Sequence, residues 1–122
     1  PQGWSWALHF CNTAVEFGMS EAVGEDRFVK EGVPAPDLRD GPVGSVYVDN
    51  LGVYGLVEHL VHKSFDAGVE KLEQAGFVLH ELERGGLEVV NVGVVVHRAS
   101  CTLAHTQPRA WRLYLCLTHV LR

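Results

Sequence analysis

Long apolar runs are absent from this sequence. Charged or histidine side chains interrupt every apolar stretch before it reaches the roughly 18 residues that a membrane span requires. No transmembrane segment is therefore predicted. The first residue is Pro1, with no initiator methionine and no basic segment followed by an apolar core, so we expect a fragment or a processed product without a readable targeting signal.

Basic residues and cysteines are scarce. The chain has 10 Lys and Arg against 15 Asp and Glu, a formal net charge of −5. Because affinity for nucleic acid comes largely from neutralising phosphates, this balance argues against nucleic-acid binding by the chain on its own. The cysteines Cys11, Cys101 and Cys116 have apolar neighbours and no CxxC spacing, so we expect buried free thiols and an intracellular, reducing compartment.

The length and the residue patterns predict one α+β domain. With 122 residues, 47% apolar and 20% charged, the chain is long enough for one core and too short for two. We expect two β-hairpins in a small antiparallel sheet, covered on one face by helices. The predicted elements are a helix within 1–23, a surface connection at 24–44, a hairpin at 45–55, a helix at 56–76, a hairpin at 77–97 and a helix at 106–122.

The predicted core takes apolar residues from every element. In the first helix the aromatic residues recur at helical spacing, and the second helix keeps the same period up to a left-handed cap at Gly76. The expected core residues are Trp6, Phe10, Phe17, Val46, Val48, Val53, Leu60, Phe65, Val69, Leu72, Val92, Val94 and Trp111.

The last helix is apolar around most of its circumference. A helix of this kind requires burial on two sides, which a domain of this size can hardly provide. We therefore expect it to contact another protein or a missing domain.

The first predicted hairpin carries an acidic turn. Val46, Val48 and Val53 are typical of strands, and the pair Asp49-Asn50 bends the backbone readily. A carboxylate held between two paired strands is fixed in position, which suits binding of a hard cation. The same pair is also ordinary turn chemistry, so a purely structural turn stays open.

A second possible metal site lies on the second predicted helix. His59 and His62 are three residues apart, a spacing that permits two ligands on one helix face. The same residues also fit a solvated, charged helix face, on which His62 pairs with a neighbouring carboxylate.

Five segments follow one another along the chain: Pro1-Gln2-Gly3-Trp4-Ser5-Trp6-Ala7, Tyr47-Val48-Asp49-Asn50, residues 72–79, residues 89–96 and the helix from Pro108. In this order they resemble motif B, the Tyr-x-Asp-Asp hairpin of motif C, motif D and motif E of the second half of the palm of a retrotransposon-type reverse transcriptase, followed by the start of its thumb.

The resemblance implies nucleotidyl transfer by two Mg²⁺ ions held by motif C and by an Asp of motif A. Asp49 matches the first carboxylate of motif C, and Gln2 and Gly3 match the segment near the incoming nucleotide. Motif A would lie before Pro1. Asn50 replaces the second Asp; its amide oxygen still coordinates a cation, but the lost charge lowers affinity.

These observations lead to two main hypotheses. The first is a reverse-transcriptase-like palm fragment that is inactive alone. On this hypothesis Mg²⁺ is a cofactor only if activity remains, and nucleic acid binds only if the upstream part of the polymerase is supplied. The second is a non-catalytic structural subunit that packs into a larger assembly through its apolar last helix and the exposed end of its first helix. A small metal-binding or ligand-binding domain using His59 and His62 is a third interpretation.

Overall fold

The computed structural model describes residues 5–48, 50–85, 87–91, 94–100 and 102–120. Within these ranges the chain forms three α-helices and two small antiparallel sheets, which confirms the predicted α+β class. The elements are α1 Ser5–Val23, β1 Val43–Tyr47, β2 Asn50–Tyr54, α2 Glu58–Gln74, β3 Glu88–Asn91, β4 Val94–His97, β5 Thr102–His105 and α3 Gln107–Val120. They divide into two compact units, Pro1–Leu82 and Glu83–Arg122.

The core of the first unit lies between α1 and α2. Met19 of α1 and Leu72 of α2 are the largest fully buried side chains, and Val15 and Phe28 complete the cluster. The β1–β2 hairpin covers this cluster with three half-buried residues, Val46, Leu51 and Val53. Burial of apolar surface is the main stabilising term in folding, so these contacts fix the hairpin on the helix pair.

The buried face of α1 is opposite to the predicted one. Trp6, Phe10 and Phe17 were expected in the core, but they are 58%, 56% and 80% exposed, respectively. Because successive residues of an α-helix are rotated by about 100°, these three side chains lie on the side of α1 opposite to Val15 and Met19. The prediction was wrong because α1 carries two apolar stripes, and hydrophobic periodicity alone does not distinguish the stripe that packs.

Small residues explain which stripe of α1 is buried. A Cβ atom at Gly18 would lie 2.6 Å from Leu72 Cδ2, and a Cβ at Gly68 of α2 would overlap the thioether of Met19. The two helices therefore approach each other closely where each has a glycine. The bulky aromatic stripe offers no such approach, since close packing requires complementary shapes.

The segment between α1 and β1 is more ordered than a surface connection requires. The guanidinium of Arg27 donates to the carbonyl oxygens of Asp37 at 2.8 Å, Gly41 at 2.6 Å and Pro42 at 3.2 Å. Phe28 is only 4% exposed and forms a parallel bridge with Gly44 of β1. The expectation that this stretch buries little was wrong at Phe28, which joins the core.

Helix α2 agrees with its sequence pattern. Val69 and Leu72 are buried as predicted, whereas Phe65 is half-buried and Leu60 is 37% exposed. Gly76 has a φ of 89°, and the N–H groups of Gly76 and Phe77 donate to the carbonyls of Glu73 and Leu72 at 2.9 and 3.0 Å. This pair of bonds is a Schellman motif, which confirms the predicted glycine cap.

The second unit contains a three-stranded sheet in the order β3-β4-β5. The predicted hairpin at 77–97 is shifted: its strands are β3 and β4, with Val89 paired to Val96. The described residues at 77–85 form no strand, and Leu79 packs against the core of the first unit instead. The valine-rich run does not form one strand, since β3 ends at Asn91 and β4 begins at Val94. Residues 92 and 93 lie outside the described residues.

Helix α3 is uncovered. Among its described residues none is buried, and Trp111, expected in the core, is 57% exposed. Cys116 on α3 and Cys11 on α1 are exposed free thiols, so the expectation of burial was wrong for both, while Cys101 lies outside the described residues. Of the other predicted core residues, Val46, Val48, Val53 and Val94 are half-buried, and Val92 lies outside the described residues.

No helix in the described ranges is both long enough and apolar enough to cross a membrane.

Replacing Leu72 by Ala tests the position of the core. Leu72 is 1% exposed, so its truncation leaves a cavity between α1 and α2. We expect the free energy of unfolding, measured by urea denaturation, to fall by about 2–5 kcal/mol. Leu60→Ala is the matched control on the same helix, and its loss should be clearly smaller because Leu60 is 37% exposed. Equal losses would contradict this assignment of the core.

Candidate functional site

The β1–β2 hairpin has the tight turn expected at the acidic pair. Val46 pairs with Leu51 and Tyr47 with Asn50, so the connection consists of Val48 and Asp49. This confirms the predicted hairpin, whose strands extend from Val43 to Tyr54 instead of the predicted 45–55. Asp49 itself, like Gln2 and Gly3, lies outside the described residues. The roles predicted for these three residues therefore stay predictions.

The connection consists of residues 48 and 49, not of the pair Asp49-Asn50 that the sequence suggested. Asn50 is the first residue of β2 and is exposed, whereas Val48 is the first residue of the connection. Two-residue hairpin connections of the favoured types require a positive φ at their first central residue, a conformation that Gly, Asn and Asp adopt most readily. Here that position is occupied by a valine.

Val48 has a φ of 59°, in the left-handed region. A β-branched residue in this region is a genuine outlier, and the conformation costs roughly 1–2 kcal/mol for an ordinary L-residue. Such strain persists only where the surrounding structure holds it, and it is concentrated at functional sites. The strained residue directly precedes Asp49.

Asn12 of α1 holds the strained residue. Its side-chain Nδ2 donates to the carbonyl oxygen of Val46 at 3.4 Å, and its Oδ1 accepts a hydrogen bond from the N–H of Val48. The helix is thus bonded to the hairpin at the two backbone groups that flank Tyr47. Asn12 is half-buried between them.

Sequence reasoning missed Asn12, although a signal for it exists. Asn12 lies three residues before Val15 and seven before Met19, on the stripe that is buried. A half-buried amide needs hydrogen-bond partners, so a polar residue on a packed stripe indicates a specific contact. The aromatic stripe was taken as the packed one, and Asn12 then fell on the solvent side.

The hairpin supplies few ligands for a cation. Within the described residues no group of three or more His, Cys, Asp and Glu side chains could hold a metal ion. The exposed Asn50 can offer an amide oxygen, and the sequence adds the carboxylate of Asp49. Mg²⁺ is commonly bound by one or two carboxylates together with substrate phosphates and water, so this donor set fits one such ion and not two.

The structure does not complete a site around His59 and His62. Both lie on α2, where His59 is exposed and His62 is half-buried. In the described part of the chain no third His, Cys, Asp or Glu side chain joins them in a group that could hold a metal ion. Two histidines alone leave most of the coordination of a transition metal to water.

Ion pairs neutralise two of the lysines in the first unit. Lys71 Nζ lies 2.6 Å from a carboxylate oxygen of Glu21, and Lys30 Nζ lies 2.6 Å from one of Glu16. The hydrogen bond and the charge of Lys71 lower the pKa of Glu21, and the carboxylate of Glu16 raises the pKa of Lys30. The charges of these two lysines are therefore partly balanced by neighbouring carboxylates.

Comparisons with protein-family models, with curated proteins and with solved structures found no match to this chain.

Val48→Gly tests the strain in the turn. Glycine adopts a positive φ without steric cost, so the relief of strain should offset the lost contacts of a half-buried valine. We expect the free energy of unfolding to change by less than about 1 kcal/mol. Val46→Gly, the matched control in β1, relieves no strain and should lower the free energy of unfolding by about 2 kcal/mol. Urea denaturation measures both, and a larger loss for Val48→Gly would contradict strain at Val48.

Proposed function

We propose that the chain is a reverse-transcriptase-like palm fragment in which the β1–β2 hairpin presents Asp49 to a divalent cation, and that the chain is not catalytic alone. The observation that carries this proposal is the two-residue connection at Asp49, closed by the Tyr47–Asn50 pair and bonded to α1 through Asn12. The order of α1, hairpin and α2 agrees with the order of the motifs that the sequence resembles.

The donor set explains why activity is not expected from the chain by itself. Two-metal nucleotidyl transfer needs carboxylates that hold both ions, which stabilise the attacking and leaving oxygens. Here Asp49 and Asn50 would hold one Mg²⁺ through a carboxylate and an amide oxygen. The fragment thus retains a single-ion site whose remaining ligands are phosphate oxygens and water.

A nucleotide-binding role for Gln2 and Gly3 follows from the same resemblance. These residues precede α1, which begins at Ser5 and carries Asn12 on its third turn. Because the net charge is −5, we propose that a primer-template duplex binds only when the upstream part of a polymerase is also supplied.

Calorimetric titration with Mn²⁺ tests the cation site. We expect Asp49→Ala to abolish binding, and Asn50→Asp to raise the affinity about tenfold because a second carboxylate adds charge. A primer-template duplex should leave the Mn²⁺ affinity of the unsubstituted chain unchanged, since the chain alone is not expected to bind the duplex.

The control for this titration is Asp40→Ala, which removes an exposed carboxylate from the connection before β1. Its affinity should equal that of the unsubstituted chain. Absence of Mn²⁺ binding with and without duplex would reject the metal site and leave Asp49 as part of a turn. An equal loss of binding in Asp40→Ala and Asp49→Ala would indicate diffuse attraction to an acidic surface.

A second candidate function is that of a non-catalytic structural subunit. The observation in its favour is the exposure of apolar helix faces in both units. Trp6, Phe10 and Phe17 of α1 are more than half exposed. The exposed apolar residues of α3 are Trp111, Leu113, Tyr114, Leu115, Leu117 and Val120. Contiguous apolar surface of this kind marks protein contacts, so we propose a protein partner for α3.

Sedimentation velocity tests the exposed face of α3. We expect the isolated chain to self-associate at high micromolar concentration, because water-exposed apolar surface favours burial. The double substitution Tyr114→Glu and Leu117→Glu should shift the chain toward monomer, whereas His119→Glu, which adds a charge to an exposed position of the same helix, should not. A chain that stays monomeric throughout would count against this role.

A further inference from the structure

We infer that Asn12 is a positioning residue that sets the conformation of the turn carrying Asp49 and so couples α1 to the proposed cation site. This inference rests on the proposed function for the meaning of Asp49. The bonds that carry it, from Asn12 to Val46 and Val48, are properties of the described structure.

The amide of Asn12 occupies the place of a neighbouring strand. Tyr47 pairs with Asn50 of β2, so the carbonyl of Val46 and the N–H of Val48 point away from β2 toward the outer edge of β1. A primary amide has one acceptor oxygen and two donor hydrogens, and it can satisfy one C=O and one N–H at once. Asn12 does this at the end of the edge, where none of the described strands pairs with β1.

The rest of that edge is covered by backbone. Phe28 forms a parallel bridge with Gly44, and the N–H of Val29 donates to the carbonyl of Gly44 at 2.8 Å. Backbone groups therefore cover the start of the edge, and a side chain from α1 covers its end. Asn12 is the contact nearest to Asp49 among those described for this edge.

The bond to Val48 restrains the backbone that precedes the strained residue. The N–H of Val48 belongs to the peptide plane between Tyr47 and Val48, and its bond to Asn12 fixes that plane relative to α1. Val48 has its φ of 59° directly after this plane. Asn12 thus restrains the start of the connection that leads to Asp49.

The coupling has a direct consequence for the proposed site. Residues 2–3, proposed to contact the nucleotide, precede the helix that carries Asn12, and Asp49 follows the residue that Asn12 holds. A helix and a turn that are joined by a half-buried, hydrogen-bonded side chain keep a fixed relative position. A site in which the same cation contacts both protein and nucleotide requires such a fixed position. Asn12 has this role without touching either ligand.

Amide hydrogen exchange of Val48, followed by NMR, tests the clamp without any metal. In Asn12→Ala we expect the Val48 N–H to exchange at least about tenfold faster, because the bond that protects it is lost. Asn12→Asp keeps an acceptor oxygen and should retain most of the protection. Thr13→Ala, which removes a bond to the carbonyl of His9 within the same helix, is the matched control and should leave the rate unchanged.

Mn²⁺ titration of the same variants tests positioning. We expect Asn12→Ala to weaken binding about tenfold, and Val48→Gly in the Asn12→Ala background to restore most of it, since glycine holds a positive φ unaided. A variant that merely loosened the fold would not be rescued by a glycine in the turn.

The outcomes separate the inference from the proposed function. Unchanged exchange at Val48 in Asn12→Ala overturns the clamp, whether or not Mn²⁺ binds. Faster exchange with unchanged Mn²⁺ affinity overturns the positioning role. If the unsubstituted chain binds no Mn²⁺, the proposed cation site fails and with it the coupling to that site, while the exchange rates still decide whether Asn12 holds the turn.

Discussion

The close packing of α1 on α2 determines the rest of the first unit. Gly18 and Gly68 let the helices approach until Met19 and Leu72 are enclosed. This contact fixes the rotation of α1 about its axis, because only one of its two apolar stripes has residues small enough for such an approach. Once that rotation is set, the position of every other side chain of α1 follows from the helical period. The hairpin then covers the open side of the same core.

Two features that concern function are consequences of that rotation. Asn12 belongs to the packed stripe, so it reaches the edge of β1 and forms bonds with Val46 and Val48. Trp6, Phe10 and Phe17 belong to the opposite stripe and stay exposed. One helix therefore supports the turn with one face and leaves the aromatic residues of its opposite face exposed. The palm-fragment and structural-subunit hypotheses are compatible, since they use different faces of α1.

The sequence predicted the order of the elements better than their packing. Helix α2 and its cap at Gly76 were recognisable because one amphipathic stripe and one glycine signal agreed. The buried face of α1 was not recognisable, because the helix has two apolar stripes. Which stripe is buried depends on steric fit with Gly68, which is distant in the sequence. The strand Thr102–His105 was missed, since its four exposed residues lack the pattern of a packed strand. In the candidate site the hairpin was predictable, but the Asn12 bonds depend on tertiary packing.

The identity of the turn residue separates the two interpretations of Asp49 and Asn50. If the acidic pair served only to bend the chain, the position with positive φ would favour Asn, Asp or Gly. Instead Val48 holds that position, and Asn50 lies in β2 with ordinary strand geometry. A fold that keeps an unfavourable residue there, and bonds it to a helix through Asn12, restrains the turn more than a plain connection needs. Under the proposed function this restraint would serve to position Asp49, and with an amide at Asn50 instead of a second carboxylate the turn would have the charge for only one cation.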